Sequence, residues 1–279
     1  MSYGKLYIVA TPIGNLGDIT IRALETLKSV DIIAAEDTRH SLKLLNHFDI
    51  KKPLTSYFEH NKQYKGNVVI SKLKEGKDVA LISDAGTPVI SDPGAELVKD
   101  CIENNIEVLT VPGACAAISA VTLCGFLNKR FSFIGFLPVK KNEKIKELEK
   151  FKNYETTLVF YEAPHKLLKT LEAICEVFGV RNISVARELT KKYEQVIRTT
   201  TEEAVKYFEE NEPVGEFVIC VEGCEEKEAE NELNALSLEE HIKYYIKSGL
   251  CKKDAVKKCA EDRGVPKREI YNASIELEL

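Results

Sequence analysis

The residues best suited to chemistry lie in a loop between Leu81 and Gly94, Leu-Ile-Ser-Asp-Ala-Gly-Thr-Pro-Val-Ile-Ser-Asp-Pro-Gly. The apolar run Val79–Ile82 predicts that a buried strand ends where the loop begins. The two glycines in the loop let backbone approach a ligand closely, and the two prolines restrict its shape. We expect Ser91 or Asp92 to cap the helix that follows. Loops at the carboxyl ends of strands are where open α/β sheets bind ligands.

Seven further motifs occur along the chain and, with this loop, carry a family resemblance. They are Tyr7–Thr20, Ala34–Arg39, Ser56–Asn61, Val111–Ala117, Tyr161–His165, Ala186–Thr190 and Gly215–Val218. In this order, from about Leu6 to Gly223, the chain resembles the tetrapyrrole methylase superfamily. The resemblance implies two α/β domains with S-adenosyl-L-methionine bound in the cleft between them.

Within that superfamily, three segments look like the branch that acts on ribosomal RNA: Thr11–Asn15, Glu36–Arg39 and Glu59–Asn61. This branch implies 2′-O-methylation of a cytidine ribose in 16S rRNA, in the decoding region of the small ribosomal subunit, and a homodimer. The alternative is a C-methyltransferase that acts on a tetrapyrrole, a uroporphyrinogen or a precorrin. A non-catalytic RNA-binding module with the same fold is a third possibility.

The implied cofactor contacts come from loops that follow strands. They are Pro12, Asp84, Gly86, Thr87, Pro88, Ile90, Ser91, Ala116, Tyr161, Glu162, Ala163, Arg187, Glu188, Leu189, Thr190, Gly215, Glu216 and Phe217. Backbone groups at Gly86 and Gly215 could contact the adenine and the amino-acid moiety. Tyr161 could face the sulfonium or belong to the core, and Arg187 and Glu188 could pair with each other. The dinucleotide fingerprint G-x-G-x-x-G is absent, so we do not expect NAD.

A ribose hydroxyl must lose its proton when it is methylated, which favours a general base near the cleft. The candidates are Asp37, His60 and Asp84, with Glu36 and Glu59 as alternatives. Histidine titrates near neutral pH, which suits His60 to the role. Asp37 could instead cap the following helix. The sequence alone does not choose among these residues.

Two further residues near these bases are expected to contact RNA. Arg39 is better suited to hold a phosphate than to accept a proton. Phe58 stands where the family commonly has the first of two histidines, which leaves His60 and Asn61 as the matching pair. The resemblance implies RNA binding by Asn61.

The elements that position these residues alternate between strands and helices. Residues 1–113 predict an N-terminal α/β domain with a mostly parallel sheet covered on both faces. Residues 114–224 predict a second α/β domain with some antiparallel pairing, introduced by a helix of small residues at 116–120. An acidic linker at 225–236 separates this domain from a helical tail at 237–279.

The tail predicts a helix-turn-helix-like region that begins with a capping box at Ser237 and Glu240. Its basic residues could contact phosphate or form a solvated face. We assign RNA binding to Lys252, Lys253, Lys257, Lys258 and Arg268, and the neighbouring Arg263 and Lys267 carry the same charge.

Composition sets limits on compartment and cofactors. The chain has 279 residues and a net charge of −5, which argues against a protein coated in basic charge. No apolar run approaches the ~20 residues that cross a membrane, and the N-terminus lacks the apolar core of a signal peptide, so we expect a cytoplasmic protein. The eight cysteines show no zinc or redox spacing and are expected to be buried free thiols, with no metal bound.

Overall fold

The computed structural model describes residues 2–58, 62–127, 130–224 and 236–275. The chain divides into two compact units, residues 1–223 and residues 224–279. The first unit contains two five-stranded sheets, and the second contains helices. The predicted fold class is confirmed. The finer division of the first unit at residue 113 stays a proposal, and the chain passes from one sheet to the other between residues 111 and 131.

The first sheet has five parallel strands. They are β1 (Leu6–Val9), β2 (Ile32–Ala35), β3 (Leu54–Ser56), β4 (Val79–Ile82) and β5 (Val108–Val111). Each of the first four strands is followed by one α-helix: α1 (Ile21–Ser29), α2 (Thr38–His47), α3 (Lys62–Lys74) and α4 (Ala95–Glu103). The strand order is β3-β2-β4-β1-β5, so β1 lies directly beside β4.

Alternating side chains of the first sheet fill two cores, one on each face. Leu6 and Ile8 point to the face that α3 and α4 cover, and Val9 points to the face that α1 and α2 cover. The carboxyl ends of β1 and β4 meet at one edge, where Thr11 and Gly86 form a two-way bridge. The Thr11 N–H donates to the Gly86 carbonyl at 2.9 Å, and the Gly86 N–H donates to the Thr11 carbonyl at 3.1 Å. The loops that follow these strands are therefore fastened together.

The second sheet combines parallel and antiparallel pairs, in the order β6-β7-β10-β8-β9. Its strands are β6 (Phe131–Phe136), β7 (Thr157–Glu162), β8 (Asn182–Arg187), β9 (Gln195–Thr200) and β10 (Phe217–Val221). Its helices are α5 (Ala116–Leu123), α6 (Lys141–Glu149), α7 (Pro164–Phe178) and α8 (Thr201–Glu210). Only β6 and β7 pair in parallel, which agrees with the predicted antiparallel content.

The helix of small residues, α5, packs closely against a sheet. Ala117 and Ala120 are buried against Val159, Val218 and the rest of one face of the second sheet, while α6, α7 and α8 cover the other face. Small side chains allow this close approach. The amino-terminal end of α5 consequently lies at the boundary between the two sheets.

The described residues of the second unit, 224 and 236–275, form three helices, α9 (Leu238–Lys247), α10 (Lys252–Asp262) and α11 (Lys267–Ile275). Ile242, Val256 and Ile270 contribute to a small core that joins them. The predicted capping box at the start of α9 is present, with the Glu240 N–H donating to the Ser237 hydroxyl at 3.3 Å.

The described residues include all eight cysteines, and they also show whether metal-binding groups or membrane-spanning helices are present among them. All eight cysteines are free; Cys101, Cys124, Cys220 and Cys259 are buried, whereas Cys251 is exposed. The expectation of buried thiols is therefore wrong for Cys251 and holds only in part for Cys115, Cys175 and Cys224, which are half-buried. In the described part of the chain, no three His, Cys, Asp or Glu side chains are grouped to hold a metal ion. Across the same residues, no helix is both long and apolar enough to cross a membrane.

Candidate active site

A cavity of about 600 Å³ lies between the two sheets of the first unit. Loops that follow β2 and β4 form one wall, and the start of α5, the end of β7 and the start of β10 form the other. This volume lies within the range of ~300–1,000 Å³ that is usual for small-molecule sites.

Most of the cofactor contacts that the sequence implied meet in this cavity. Those that line it are Asp84, Gly86, Thr87, Ile90, Ser91, Ala116, Tyr161, Glu162, Ala163, Leu189, Glu216 and Phe217. They come from five segments that are far apart in sequence. Their common lining shows that the loop motifs belong to one place in the fold.

The remaining residues of that set do not line this cavity. Pro12 lies on a second, neighbouring cavity, and Pro88 is buried beneath the loop. Arg187, Glu188, Thr190 and Gly215 surround Leu189 and Glu216 without lining the cavity. Their place behind the wall indicates support for the loops.

Glu188 fastens two of these loops to each other. Its carboxylate accepts the Glu216 N–H at 3.0 Å and pairs with the Lys191 ammonium at 2.9 Å. Neighbouring Lys191 also pairs with Glu216 at 2.9 Å. The bond to Lys191 and the bond from the Glu216 amide lower the pKa of Glu188 against the opposing effect of burial. Glu188 therefore pairs with Lys191 and the Glu216 amide, and not with Arg187 as the sequence suggested.

Gly215 packs against the Glu188 side chain and has a φ of +93°. A Cβ there would lie 2.5 Å from Cγ of Glu188. Only glycine combines this backbone conformation with so close a neighbour.

Two expectations for the loop at 83–94 were wrong. Neither Ser91 nor Asp92 caps α4, because the N-cap is Gly94 at φ +145° and receives no side-chain bond. The backbone of Gly86 does not stand free for a ligand either, because both its N–H and its carbonyl bond to Thr11. A Cβ on Gly86 would lie 3.1 Å from Cγ2 of Ile13, so the glycine permits close packing of two loops.

Three carboxylates gather on one side of the cavity: Glu36, Asp84 and Asp92. Burial raises the pKa of Glu36, and repulsion from Asp92 and Asp84 raises it further. Burial also raises the pKa of Asp92, partly offset by a hydrogen bond with Ser83. Such a cluster favours a cation in the cavity, and it makes Glu36 a stronger proton acceptor than an ordinary glutamate.

Asp37 has a structural role at the start of α2. Its carboxylate accepts the Arg39 N–H at 2.8 Å as an N-cap and pairs with the exposed Arg39 guanidinium at 3.2 Å. These bonds lower the pKa of Asp37, which makes it a poorer base. Its own backbone N–H donates to Oδ1 of Asp84 at 3.1 Å, so it also orients that carboxylate.

Tyr161 both lines the cavity and supports α5. Its phenol oxygen accepts the Ala117 N–H at 3.0 Å, in the first turn of that helix. Its ring makes edge contacts with Phe133 and Phe136, with ring centroids 5.0 and 5.6 Å away. Burial raises the pKa of Tyr161 to about 12, so the phenol keeps its proton at neutral pH.

Some expected site residues cannot be placed, and some lining residues were not expected. Glu59, His60 and Asn61 lie outside the described residues. The lining residues that sequence reasoning missed are Ile13, Ala85, Asp92, Cys115, Phe136, Pro164, His165 and Val218. Most of these residues lie inside the motifs quoted above, and membership of a motif could have identified them. Phe136, at the end of β6, lies outside every quoted motif.

The cavity suits S-adenosyl-L-methionine on three observations. The carboxylate cluster complements a sulfonium, and Phe136 and Tyr161 supply apolar and aromatic surface. The amino-terminal ends of α5 and α7, which favour negative charge, reach the lining at Ala116 and Pro164.

Comparison with known proteins identifies the family of the chain. Residues 5–205 match the family Tetrapyrrole (Corrin/Porphyrin) Methylases. Among solved structures, uroporphyrin-III C-methyltransferase from Thermus thermophilus complexed with S-adenosyl homocysteine has a TM-score of 0.57 at 16% identity, over 78% of this chain and 97% of that one. Diphthine synthase has a TM-score of 0.59 at 13% identity, over 79% of this chain and 90% of that one. The chain belongs to the tetrapyrrole methylase family.

Curated relatives carry a more specific name, Ribosomal RNA small subunit methyltransferase I. The protein of Bacillus subtilis is 51% identical over 97% of this chain and 94% of its own length. The Synechocystis protein is 47% identical over 99% of both. The Thermotoga maritima protein is 49% identical over 80% of this chain and 100% of its own length. Within its family, the chain is therefore an S-adenosylmethionine-dependent methyltransferase of the small subunit methyltransferase I type.

Proposed function

We propose that the protein methylates the ribose 2′-oxygen of a cytidine in 16S rRNA, in the decoding region of the small ribosomal subunit. The observation that carries the proposal is the placement of Glu36 and Asp84 on the wall of the cofactor cavity, with the pKa of Glu36 raised. A hydroxyl acceptor needs such a base, and the relatives' shared name supports ribosomal RNA as its source.

The chain's own residues hold and move one proton in this reaction. S-adenosyl-L-methionine supplies the electrophilic methyl group. Glu36 accepts the proton that the 2′-hydroxyl loses as the new O–C bond forms. Asp84, oriented by the backbone N–H of Asp37 at 3.1 Å, assists Glu36 by charge, because its carboxylate raises the pKa of that base. Apolar side chains such as Ile13 and Phe217 keep water from the methyl group.

The test uses small subunits from a strain that lacks the gene, with uroporphyrinogen III as the competing acceptor and a labelled methyl donor. We expect label at the cytidine ribose of the rRNA. Glu36→Gln should lower kcat by about 10²–10⁴-fold while calorimetry shows retained cofactor binding. The matched control is Glu25→Gln, on the exposed face of α1. Label that enters only the tetrapyrrole would overturn the proposal in favour of C-methylation.

The pH dependence gives a second readout of Glu36. A base is active when deprotonated, so kcat should fall as pH drops through its pKa, which lies above the ordinary 4.5. Removal of Asp92 repulsion by Asp92→Asn should lower that pKa and move the acidic limb to lower pH. An unchanged limb in this variant would assign the base to another residue.

The helical tail is proposed to add RNA affinity through Lys252, Lys253, Lys257, Lys258 and Arg268. In its support, these cations lie on α10 and α11 of a chain whose net charge is −5. A chain ending after Gly223 should keep cofactor binding but bind small subunits less tightly. The slope of log affinity against log salt concentration should become shallower by roughly 0.7–0.9 per lost phosphate contact. Unchanged affinity at all salt concentrations would reduce the tail to a structural appendage.

We further propose a cytoplasmic homodimer. Phe131 on β6, an edge strand of the second sheet, is 41% exposed, which supports a covered face there. Light scattering at micromolar concentration should give about twice the chain mass of 31.3 kDa. A mass equal to one chain would contradict the dimer.

A further inference from the structure

A second cavity of about 390 Å³ adjoins the cofactor cavity. The loop after β1 and one face of α2 form most of its wall. The two cavities share four lining residues, Ile13, Asp84, Ala85 and Glu216. A group bound in the second cavity would therefore lie one wall away from the methyl donor.

The two cavities differ in charge. Carboxylates line the cofactor cavity. The second cavity shares Asp84 and Glu216 with it and adds His40, Lys43 and His47, at successive turns on one face of α2. Lys43 has no ion-pair partner among the described residues, while Arg39, on the same helix, is paired with Asp37 at 3.2 Å. The α2 side of the second cavity thus favours an anion, whereas the shared wall at Asp84 does not.

A separate observation marks the same wall as a binding surface. Ser41 lines the second cavity and is only 1% exposed, yet its hydroxyl has no hydrogen-bond partner in the described part of the chain. A buried hydroxyl without a partner is costly, and a ligand oxygen would satisfy it.

We propose that the second cavity binds the acceptor nucleotide of the RNA. Its phosphate lies on the His40, Lys43 and His47 face of α2, and its ribose lies against Asp84 on the shared wall. This assignment rests on the proposed function and adds to it the part of the protein that selects the acceptor. A cavity of this size admits one nucleotide taken out of its stack, the form in which RNA is read by sequence-specific proteins.

The experiment measures two quantities on the full chain. The first is the KM for small subunits in the methylation assay. The second is the affinity for a fluorescent single-stranded cytidine-containing RNA oligomer in the presence of S-adenosyl homocysteine. Lys43→Glu should raise the KM and weaken oligomer binding roughly 10-fold or more, the size expected for loss of a charged contact. Lys43→Arg should restore both.

Two further variants separate the cavity from general charge effects. Ser41→Ala should weaken oligomer binding about 2- to 10-fold, as expected for one hydrogen bond. Lys28→Glu, in the last turn of α1 at the opposite edge of the sheet, should change neither quantity. Cofactor affinity, measured by calorimetry, should be the same in all of these variants because none of the substituted residues lines the cofactor cavity.

The outcomes for this inference differ from those for the proposed function. An active enzyme whose KM and oligomer affinity are unaffected by Lys43→Glu would overturn the acceptor cavity and leave the function intact. A wild type that binds the oligomer through Lys43 but does not methylate subunits would overturn the function and keep the cavity. A rise in KM for uroporphyrinogen III alone would assign the cavity to tetrapyrrole carboxylates, against the nucleotide.

Discussion

Lys144 offers the sharpest test of how the cofactor cavity is held. The residue is 3% exposed, and its ammonium donates to the Thr170 hydroxyl at 2.5 Å. That hydroxyl donates to Oε2 of Glu162 at 2.5 Å, and Oε1 of Glu162 accepts the Ala163 N–H at 2.9 Å. Glu162 and Ala163 line the cavity, so a buried chain of charge and hydrogen bonds runs from α6 to the cofactor wall.

Lys144→Met keeps the length of the side chain and removes its charge. Burial lowers the pKa of Lys144, and attraction to Glu162 opposes this effect. Glu162 is only 4% exposed, and the Lys144 ammonium offsets the energetic cost of burying its charge. Without the ammonium, that cost is no longer offset. Lys144 and Glu162 are linked through the Thr170 hydroxyl, and removing one charge of such a buried set costs up to about 3–5 kcal/mol of unfolding free energy, the loss seen when a buried ion pair is broken. For a unit of this size, that loss lowers Tm by roughly 6–20 °C.

Urea unfolding followed by circular dichroism measures the loss. Calorimetry with S-adenosyl homocysteine should show weaker binding as well, because the wall at Glu162 is less well held. Lys146→Met, at an exposed position on the same helix, is the matched control and should change stability little. The double variant with Glu162→Gln should recover about 0.5–3 kcal/mol relative to the sum of the single losses. A loss below about 1 kcal/mol would refute the reasoning.

Two further predictions concern a glycine and a histidine. Gly215→Ala should lower the free energy of unfolding by about 1–3 kcal/mol and weaken cofactor binding, because its Cβ would lie 2.5 Å from Cγ of Glu188. The control is Gly179→Ala, which has open space around it. Equal losses of the two variants in urea unfolding would contradict the clash. His241 should make the tail less stable in acid: burial lowers its pKa, so its stabilising neutral form is fully present above pH 6.5 and is lost as pH falls through the lower folded value. Arg263 donates to Nδ1 of His241 at 3.1 Å, so Arg263→Ala should weaken this pH dependence of amide exchange in the tail, and an unchanged dependence would contradict the mechanism.

Patterns along the chain predicted the elements well because burial leaves a local record. The apolar run at 79–82 became β4, and the small residues of α5 became a helix packed on a sheet. The same patterns also showed which loops follow strands. The order of the strands could not be predicted in this way, since nothing near β1 records that β4 pairs with it.

The chemistry of the cavity was harder to predict because it arises between loops that are distant in sequence. The pKa of Glu36 is raised by burial and by Asp92 and Asp84, which lie about fifty residues further along the chain. Asp37 shows the reverse, since two roles were compatible with its sequence and the bond from Arg39 established capping. Gly86 was expected to leave its backbone free, but Thr11, 75 residues away, pairs with it.

The bridge between Thr11 and Gly86 has a consequence for how acceptor preference changes in evolution. Because the bridge fastens the loops after β1 and β4, the shared wall at Asp84 is held in position from both sides. The exposed face of α2 has no such constraint, as His40, Lys43 and His47 are surface side chains on a helix whose other face carries the buried Leu45. Substitutions on that face alter what the second cavity accepts without disturbing the grip on the methyl donor. A single scaffold can thereby acquire new acceptors by changing one helix face, and designed changes of substrate should begin there.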